Sequence, residues 1–189
     1  LQNHNEPAFR AKQILEWIWV KSASSFDEMT NLPIKLRSEL SLDFVFNNIK
    51  VDSVQHSNDG TLKFGMRLYD DNLIESVLIP TENRMTACIS SQVGCSLTCS
   101  FCATGYLDRV RNLDPAEIYD QVVEVNRQAQ ETYQMPLTNI VYMGMGEPLL
   151  NYQNVLQSVD KITSEKGLHI SSKRITVSTA GVAKMIKKL

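Results

Sequence analysis

Three of the four cysteines in this 189-residue chain lie close together, in the segment S-Q-V-G-C-S-L-T-C-S-F-C-A-T-G. They are Cys95, Cys99 and Cys102, and their spacing is C-x3-C-x2-C. Cysteine thiolates are soft ligands and are the usual ligands of iron–sulfur clusters. Because a [4Fe–4S] cluster contains four irons, three cysteines leave one iron open to a substrate or cofactor. The segment therefore predicts a cluster with an open coordination position.

A structural zinc site and a disulfide are the alternatives for this segment. Structural zinc normally requires a second cysteine pair or histidines. The three histidines, His4, His56 and His169, lie far from the cysteines and from one another in the sequence. Three cysteines cannot pair evenly, and nothing indicates secretion. The iron–sulfur interpretation is therefore favoured, with zinc as the main alternative.

Composition sets the broad class but not the function. The chain is 43% apolar and 21% charged, with a formal net charge of −2. This balance neither indicates nor excludes nucleic acid, so an RNA-binding face would have to be a local patch. No apolar run approaches the ~20 residues that span a membrane, and no signal peptide is visible. With the clustered cysteines, this predicts a reducing, cytoplasmic setting and no membrane association.

Residues 1–45 read as a small helical accessory domain. Pro7 and Pro33 are each suited to the start of a helix. Trp17 and Trp19 are interpreted as core or interdomain packing rather than as a platform for stacking bases. The apolar positions that recur at helical spacing in the first helix are Ala11, Ile14, Leu15 and Ile18.

Residues 46–84 change to the alternating pattern of β-strands. Residues 62–68 alternate, 70–72 carry a turn signal, and 73–79 read as the returning strand of a β-hairpin. Glu75 lies inside that second strand. The pattern alone favours a solvated carboxylate there.

Residues 85–189 repeat a strand–loop–helix pattern three times. Three successive βα units imply a parallel sheet, so the fold class is α/β. Asp114 is a good helix N-cap, with Pro115 and Glu117 following it. The predicted strands are 85–90, 139–143 and 174–177, and the predicted helices begin at 114, 151 and 182.

Further candidate residues follow the ends of these strands, where α/β proteins place their sites. The loop G-M-G-E-P contains Gly146 and Glu147 and follows the second strand. Its glycines allow close backbone approach, and its carboxylate can accept hydrogen bonds from an ammonium group. Ser178 offers a hydroxyl after the third strand. Cys88, in the first strand, is either a small buried residue or a catalytic thiol, and the pattern does not decide.

These motifs together resemble one family closely. C-x3-C-x2-C with Phe101 before the last cysteine resembles the signature of radical S-adenosylmethionine (SAM) enzymes. The motifs C-I-S-S-Q-V-G-C-S-L-T-C-S-F-C-A-T-G, R-N-L, G-M-G-E-P-L-L-N and V-S-T-A-G resemble the RlmN/Cfr family of radical SAM RNA methyltransferases. The N-terminal E-P-A-F-R-A-K-Q-I and F-D-E-M-T-N-L resemble that family's accessory domain.

The resemblance implies a fold and residue roles. The fold would be a partial (βα) radical SAM barrel, preceded by a helical accessory domain and a β-hairpin. Glu75 would accept a proton from the adenine, and Cys88 would form a disulfide that releases a covalent RNA adduct. The implied cluster ligands are Cys95, Cys99 and Cys102, and the implied SAM contacts are Gly146, Glu147 and Ser178.

The resemblance also implies a reaction and partners. It is closer to the RlmN branch, which methylates C2 of an adenine in 23S rRNA and, in some members, in tRNA. The Cfr branch, which methylates C8, is the near alternative. One SAM methylates a second catalytic cysteine, and another yields a radical that abstracts hydrogen from that methyl group. A flavodoxin-like electron donor and a monomeric full-length protein are the expected partner and assembly.

One departure from the family is that the cysteine to be methylated has no counterpart, because all four cysteines here are already assigned. We therefore expect the chain to be a fragment that does not turn over RNA alone. A radical SAM enzyme with a non-RNA substrate and a non-enzymatic metal- or RNA-binding module are the competing classes. The basic positions that can touch phosphate are Arg109, Arg111, Lys173, Arg174, Lys184, Lys187 and Lys188; a solvated helix face is the favoured reading of the last three.

Overall fold

The main feature of the fold is one mixed sheet of six strands, in a computed structural model that describes residues 6–189. A separate pair of short strands closes a loop beside it. The strands are β1 (Lys50–His56), β2 (Leu62–Arg67), β3 (Leu73–Thr81), β4 (Arg84–Cys88), β5 (Gln92–Val93), β6 (Arg111–Asn112), β7 (Asn139–Tyr142) and β8 (Ile175–Val177). The order in the large sheet is β1-β2-β3-β4-β7-β8.

The predicted parallel strands are all present. β4 pairs parallel with β7, and β7 pairs parallel with β8. The predicted hairpin is also present as β2 and β3. The sequence analysis missed β1, because this edge strand is exposed along nearly its whole length and has no alternation of buried and exposed residues. β3 also pairs antiparallel with β4, so the hairpin continues the sheet of parallel strands.

The helices are α1 (Phe9–Trp19), α2 (Ile34–Asp43), α3 (Pro115–Tyr133), α4 (Tyr152–Thr163) and α5 (Ala183–Ile186). Helix α3 begins as predicted. The Asp114 carboxylate accepts hydrogen bonds from the backbone N–H groups of Ala116 and Glu117, each at 2.9 Å. The Glu117 carboxylate accepts one from the Asp114 N–H at 3.0 Å, which completes a capping box. Among the described residues, no helix is long and apolar enough to cross a membrane.

The two faces of the sheet differ because side chains alternate along each strand. One face carries Phe64, Ile74 and Leu78, none of them accessible to solvent, and packs against α3 and α4. The opposite face carries Glu75 and Cys88. The two predicted catalytic residues of this sheet, Glu75 and Cys88, therefore lie on the face away from the helices.

The N-terminal helices form a second small core around Met29, Leu36 and Leu40. Ile14 and Ile18 pack against that core as the helical spacing predicts, but Leu15 is 52% exposed. The reason is that this core is small and α1 covers it with only part of its apolar stripe. The first five residues of the predicted helical segment lie outside the described residues.

Trp19 joins the N-terminal helices to α3, in agreement with its interpretation as a packing residue. Its ring meets that of Tyr119 edge to face, with the centroids 5.1 Å apart. The Tyr119 hydroxyl donates a hydrogen bond to the Trp19 carbonyl. The ammonium group of Lys161 lies 4.8 Å from the centroid of the Trp19 ring.

A cleft of about 740 Å³ opens beside this contact, between the N-terminal helices and α3. Asp120 lines it and is half-buried. Burial raises the pKa of the Asp120 carboxyl to about 7, and the negative charges of Asp114 and Glu117 add to the effect. Because the raised pKa means that the folded protein holds this proton more tightly than the unfolded chain, Asp120 lowers stability as pH rises.

We predict that Asp120→Asn increases the free energy of unfolding at pH 8 and leaves it unchanged at about pH 2.5, well below the unfolded pKa. The pKa of the unfolded carboxyl is about 3.9, so the loss of stability develops between that pH and the folded pKa of about 7. The measurement is urea unfolding at several pH values, with the exposed Glu165→Gln as the control. Identical pH dependence in the parent and Asp120→Asn would contradict this assignment.

Candidate functional site

The three clustered cysteines lie on a single loop, residues 94–110, which hereafter is called the cysteine loop. Strands β5 and β6 close its base, pairing Gln92 with Asn112 and Val93 with Arg111. The Val110 N–H donates to the Val93 carbonyl at 2.9 Å, one step further into the loop. The cysteines therefore lie on a closed ribbon, that is, a loop whose two ends are hydrogen-bonded to each other.

Backbone hydrogen bonds continue inside the cysteine loop. The Cys95 N–H donates to the Leu107 carbonyl at 3.3 Å, and the Cys102 N–H donates to the Cys99 carbonyl at 3.0 Å. Gly94 permits the crossing at the neck: its φ is +71°, and a Cβ there would lie 2.1 Å from the Asp108 carbonyl oxygen. The loop has a defined path through all three cysteines.

The donor set of the cysteine loop fits an iron–sulfur cluster. Cys95, Cys99 and Cys102 are free and half-buried, so their sulfurs are available on one short segment. Among residues 6–189, no group of three or more histidine, cysteine, aspartate and glutamate side chains has the arrangement of a metal-ion site. A single ion requires its ligands to converge on one point, whereas each cysteine of a cluster binds a different iron. Three free thiols on one short loop are the ligand type that a cluster takes.

A buried polar network fixes the strand end that leads into the cysteine loop. The Gln121 side-chain oxygen accepts hydrogen bonds from the Ser90 N–H at 2.8 Å and the Ser76 hydroxyl at 2.9 Å. Its amide nitrogen donates to the Ser90 carbonyl at 3.1 Å. All three residues are buried. The sequence analysis missed Gln121, although a glutamine beside Ile118 and Val122 on the apolar stripe of α3 is a visible signal.

The G-M-G-E-P turn packs directly against the entry to the cysteine loop. The Met145 carbonyl accepts hydrogen bonds from the N–H groups of Ser91 and Gln92, at 2.8 and 3.2 Å. A Cβ on Gly144 would lie 2.7 Å from the Ile89 backbone, and one on Gly146 would lie 2.5 Å from Gln92. Gly144 is required because it touches the Ile89 backbone. Gly146 is required because it touches the Gln92 side chain and has a φ of +94°, which favours glycine.

Glu147 is only 3% exposed. One carboxylate oxygen accepts a hydrogen bond from the Leu149 N–H at 2.9 Å. The other accepts from the Ala180 N–H at 2.7 Å. Ala180 lies two residues after Ser178, which is half-buried beyond the end of β8. Glu147 therefore ties the loop after β7 to the loop after β8 and brings Ser178 to the same end of the sheet.

Cys88 and Glu75 lie on the same face of neighbouring strands. Cys88 pairs with Val77, and Glu75 is two residues from Val77 along β3. Burial raises the pKa of the Cys88 thiol, although a backbone hydrogen bond from Met143 opposes the shift. The Glu75 carboxylate is half-exposed and lies 2.6 Å from the Lys63 ammonium group. The structure therefore has at Glu75 the solvent-accessible carboxylate that the alternating strand pattern predicts.

Arg111 is one of the residues predicted to be able to touch phosphate, and its guanidinium forms ion pairs within the protein. Its guanidinium binds both oxygens of Glu117, at 2.7 and 2.8 Å, and one oxygen of Asp70 at 2.6 Å. Two carboxylates already pair with this guanidinium, so it is engaged within the protein, and its contact with phosphate stays a prediction. Arg109 is exposed, as are the lysines at 173, 184, 187 and 188.

Comparison with known proteins identifies the class that this fold and loop define. Residues 89–189, which include the cysteine loop and the G-M-G-E-P turn, match the model of the radical SAM superfamily. The chain therefore belongs to the radical SAM superfamily, and the α/β fold class and the expected cofactors, a [4Fe–4S] cluster and SAM, are confirmed at that level. Residues 1–45 match the ribosomal RNA large subunit methyltransferase N-terminal domain.

Individual relatives agree with the family resemblance stated from the motifs. The chain is 64% identical over 184 residues to a protein of Cytophaga hutchinsonii named as a probable dual-specificity RNA methyltransferase RlmN, covering 97% of this chain and 50% of the relative. A protein of Flavobacterium johnsoniae with the same name is 57% identical, covering 98% and 53%. The chain thus spans about half the length of these relatives.

A solved structure supports the fold. It is that of a radical SAM methyltransferase from Sphaerobacter thermophilus, which is 40% identical and superposes with a TM-score of 0.89. The match covers 100% of this chain and 55% of that one. The mixed sheet and its loops are therefore a shared arrangement.

We predict that Glu147→Gln loosens the contact between the two loops. A side-chain amide has only one acceptor oxygen, so either Leu149 or Ala180 loses its partner. The expected loss in the free energy of unfolding reaches about 1–3 kcal/mol where the buried Leu149 N–H is left unpaired, whereas the exposed Ala180 can bond to water. Amide hydrogen exchange at these two positions measures the effect, with the exposed Glu82→Gln as the control. Unchanged exchange at both positions would contradict the role of Glu147.

Proposed function

We propose that this chain is the cluster- and SAM-binding part of a radical SAM methyltransferase that methylates C2 of an adenine in 23S rRNA and in tRNA. The observation that carries the proposal is the cysteine loop, where three free thiols are held on one closed ribbon beside the G-M-G-E-P turn. The names of the relatives support an RNA substrate. The proposed domains are an accessory helical domain at residues 1–45, a β-hairpin region at 46–84 and a partial radical SAM barrel at 85–189.

The cysteine loop would hold the cluster through Cys95, Cys99 and Cys102. When bound, the cluster and SAM supply one-electron chemistry that produces an organic radical. The protein's part is to hold three thiolates on one short ribbon and to leave the fourth iron without a protein ligand. A flavodoxin-like donor would deliver the electron, and the reducing cytoplasm would be the setting.

The SAM contacts would come from Gly146, Glu147 and Ser178. In the described part of the chain, the buried Glu147 carboxylate accepts hydrogen bonds from two backbone N–H groups and from no cationic side chain. A buried negative charge of this kind is best matched by a cation, and the amino acid part of SAM carries an ammonium group. Gly146 leaves room for backbone approach, and Ser178 adds a hydroxyl.

Glu75 and Cys88 would act on the RNA. Glu75 is half-exposed on the open face of the sheet, where its carboxylate can reach a substrate proton once the Lys63 ammonium shifts aside. The raised pKa of Cys88 keeps its thiol protonated near neutral pH. Its sulfur would then attack the sulfur of the second cysteine in the thioether adduct with RNA: the S–S bond forms, the S–C bond breaks, and the released carbon takes up the proton.

We predict that anaerobic reconstitution with iron and sulfide loads about four irons per chain. The reduced cluster should give an electron paramagnetic resonance (EPR) signal that changes when SAM is added, because SAM coordinates the open iron. Cys95→Ala, Cys99→Ala and Cys102→Ala should each lose iron, and Cys88→Ala should keep it. Tight uptake of one zinc and no iron would overturn the enzyme assignment.

We predict that the protein extended to the length of its relatives converts adenine in unmodified 23S rRNA and tRNA to 2-methyladenine. Nucleoside mass spectrometry distinguishes this product from the 8-methyl isomer of the Cfr-type alternative. Glu75→Gln should lower the rate by about 10²–10⁴-fold, as loss of a general base does. The 189-residue chain alone should give no product, because its four cysteines are all assigned. Methylation by this chain alone would contradict that division of roles.

A further inference from the structure

Arg111 is the point where three separate parts of the protein meet. It lies in β6, which forms one side of the base of the cysteine loop. Its guanidinium contacts Asp70 in the turn between β2 and β3, and Glu117 in the first turn of α3. Tyr69 covers it, with the guanidinium carbon 5.2 Å from the ring centroid.

The geometry of these contacts is that of a fixed attachment. The pairing with Glu117 is bidentate, at 2.7 and 2.8 Å, and Glu117 itself is almost completely buried. Bidentate arginine–carboxylate pairs are both stronger and more directional than single contacts. Hydrogen bonding to Arg111 lowers the pKa of Asp70 to about 2, so this partner stays charged at any working pH.

The two sides of the loop base are held by different means. On the β5 side, Ser90 and Gln92 are bound by Gln121 and by the G-M-G-E-P turn. On the β6 side, the Arg111 side chain is the ionic link to the body of the protein. Asn151 and Asn154 also hold this side, donating to the Leu113 carbonyl at 2.7 and 2.9 Å, but they bind it after β6. Loss of the Arg111 link would therefore loosen residues 110–112, between that anchor and the cysteines.

We propose that Arg111 is a positioning residue for the iron–sulfur cluster: by tying β6 to Asp70 and Glu117, it keeps the base of the cysteine loop closed and sets the spacing of the three thiols. The proposal rests on the proposed function in assigning those thiols to the cluster. Since Asp70 belongs to the hairpin that carries Glu75, the same link also fixes the cysteine loop relative to that carboxylate.

The first test is amide hydrogen exchange in the metal-free protein. Arg111→Met should speed exchange about tenfold at Cys95, Val110 and Leu113, the amides that close the loop base, as expected when charge-assisted hydrogen bonds are lost. Exchange in β7 should stay unchanged. Arg127→Met is the matched control, because Arg127 makes an equally bidentate contact with Glu124 and also reaches Glu131 on the exposed side of α3.

A milder variant covers the case in which Arg111→Met fails to fold. Asp70→Asn removes the negative charge that the hairpin turn presents to Arg111 and should speed exchange at the loop base by about threefold, with β7 again unchanged. Equal acceleration at the loop base and in β7 would show general destabilisation and overturn the proposal. Unchanged exchange at the loop base would also overturn it.

The second test is cluster assembly. After reconstitution, Arg111→Met should hold less iron and give a broader EPR signal, whereas Arg127→Met should match the parent. A normal cluster in Arg111→Met would overturn the positioning role even if exchange at the base increased. If the parent itself takes up no iron, the proposed function fails, and the exchange experiment still decides whether Arg111 closes the loop.

Discussion

The hydrogen bonding of one buried backbone segment, Ser90 to Gln92, controls the geometry of the whole site. This segment leaves the large sheet before it turns into the cysteine loop, so the backbone groups of Ser90 and Ser91 cannot be paired within that sheet. Buried groups of this kind have to find partners elsewhere. Gln121 supplies them from α3, and Met145 supplies them from the turn after β7. The cysteine loop is therefore set by contacts from two other elements.

Local patterns predicted the parts of the fold whose cause is local. The capping box at Asp114, the hairpin and the parallel strands all follow from neighbouring residues, and all are present. Strand β1 was not predicted, because an exposed edge strand has no buried face and so needs no alternation of apolar and polar residues. The cysteine spacing likewise predicted the cofactors of the superfamily that the chain matches, and the ligand role of each cysteine stays a prediction.

Contacts between distant residues account for what the sequence could not give. In the sequence Arg111 looks like a basic surface residue. In the fold it forms an ion pair with Asp70, which is forty-one positions away. Glu147 reads as a ligand-binding carboxylate, but its bond to Ala180 also makes it a structural link between loops. Gln121 looks like an interruption of an apolar stripe, and its purpose appears only when Ser76 and Ser90 meet it.

Glu117 shows how strongly the site restricts which residue can occupy one of its positions. Its carboxylate caps α3 through the Asp114 N–H and also receives two hydrogen bonds from Arg111. Glutamine would suit the helix and the cap equally well. It would nevertheless present one donor to a guanidinium that has only donors to offer. A substitution that is conservative for the helix would thus be a severe one for the neighbouring loop.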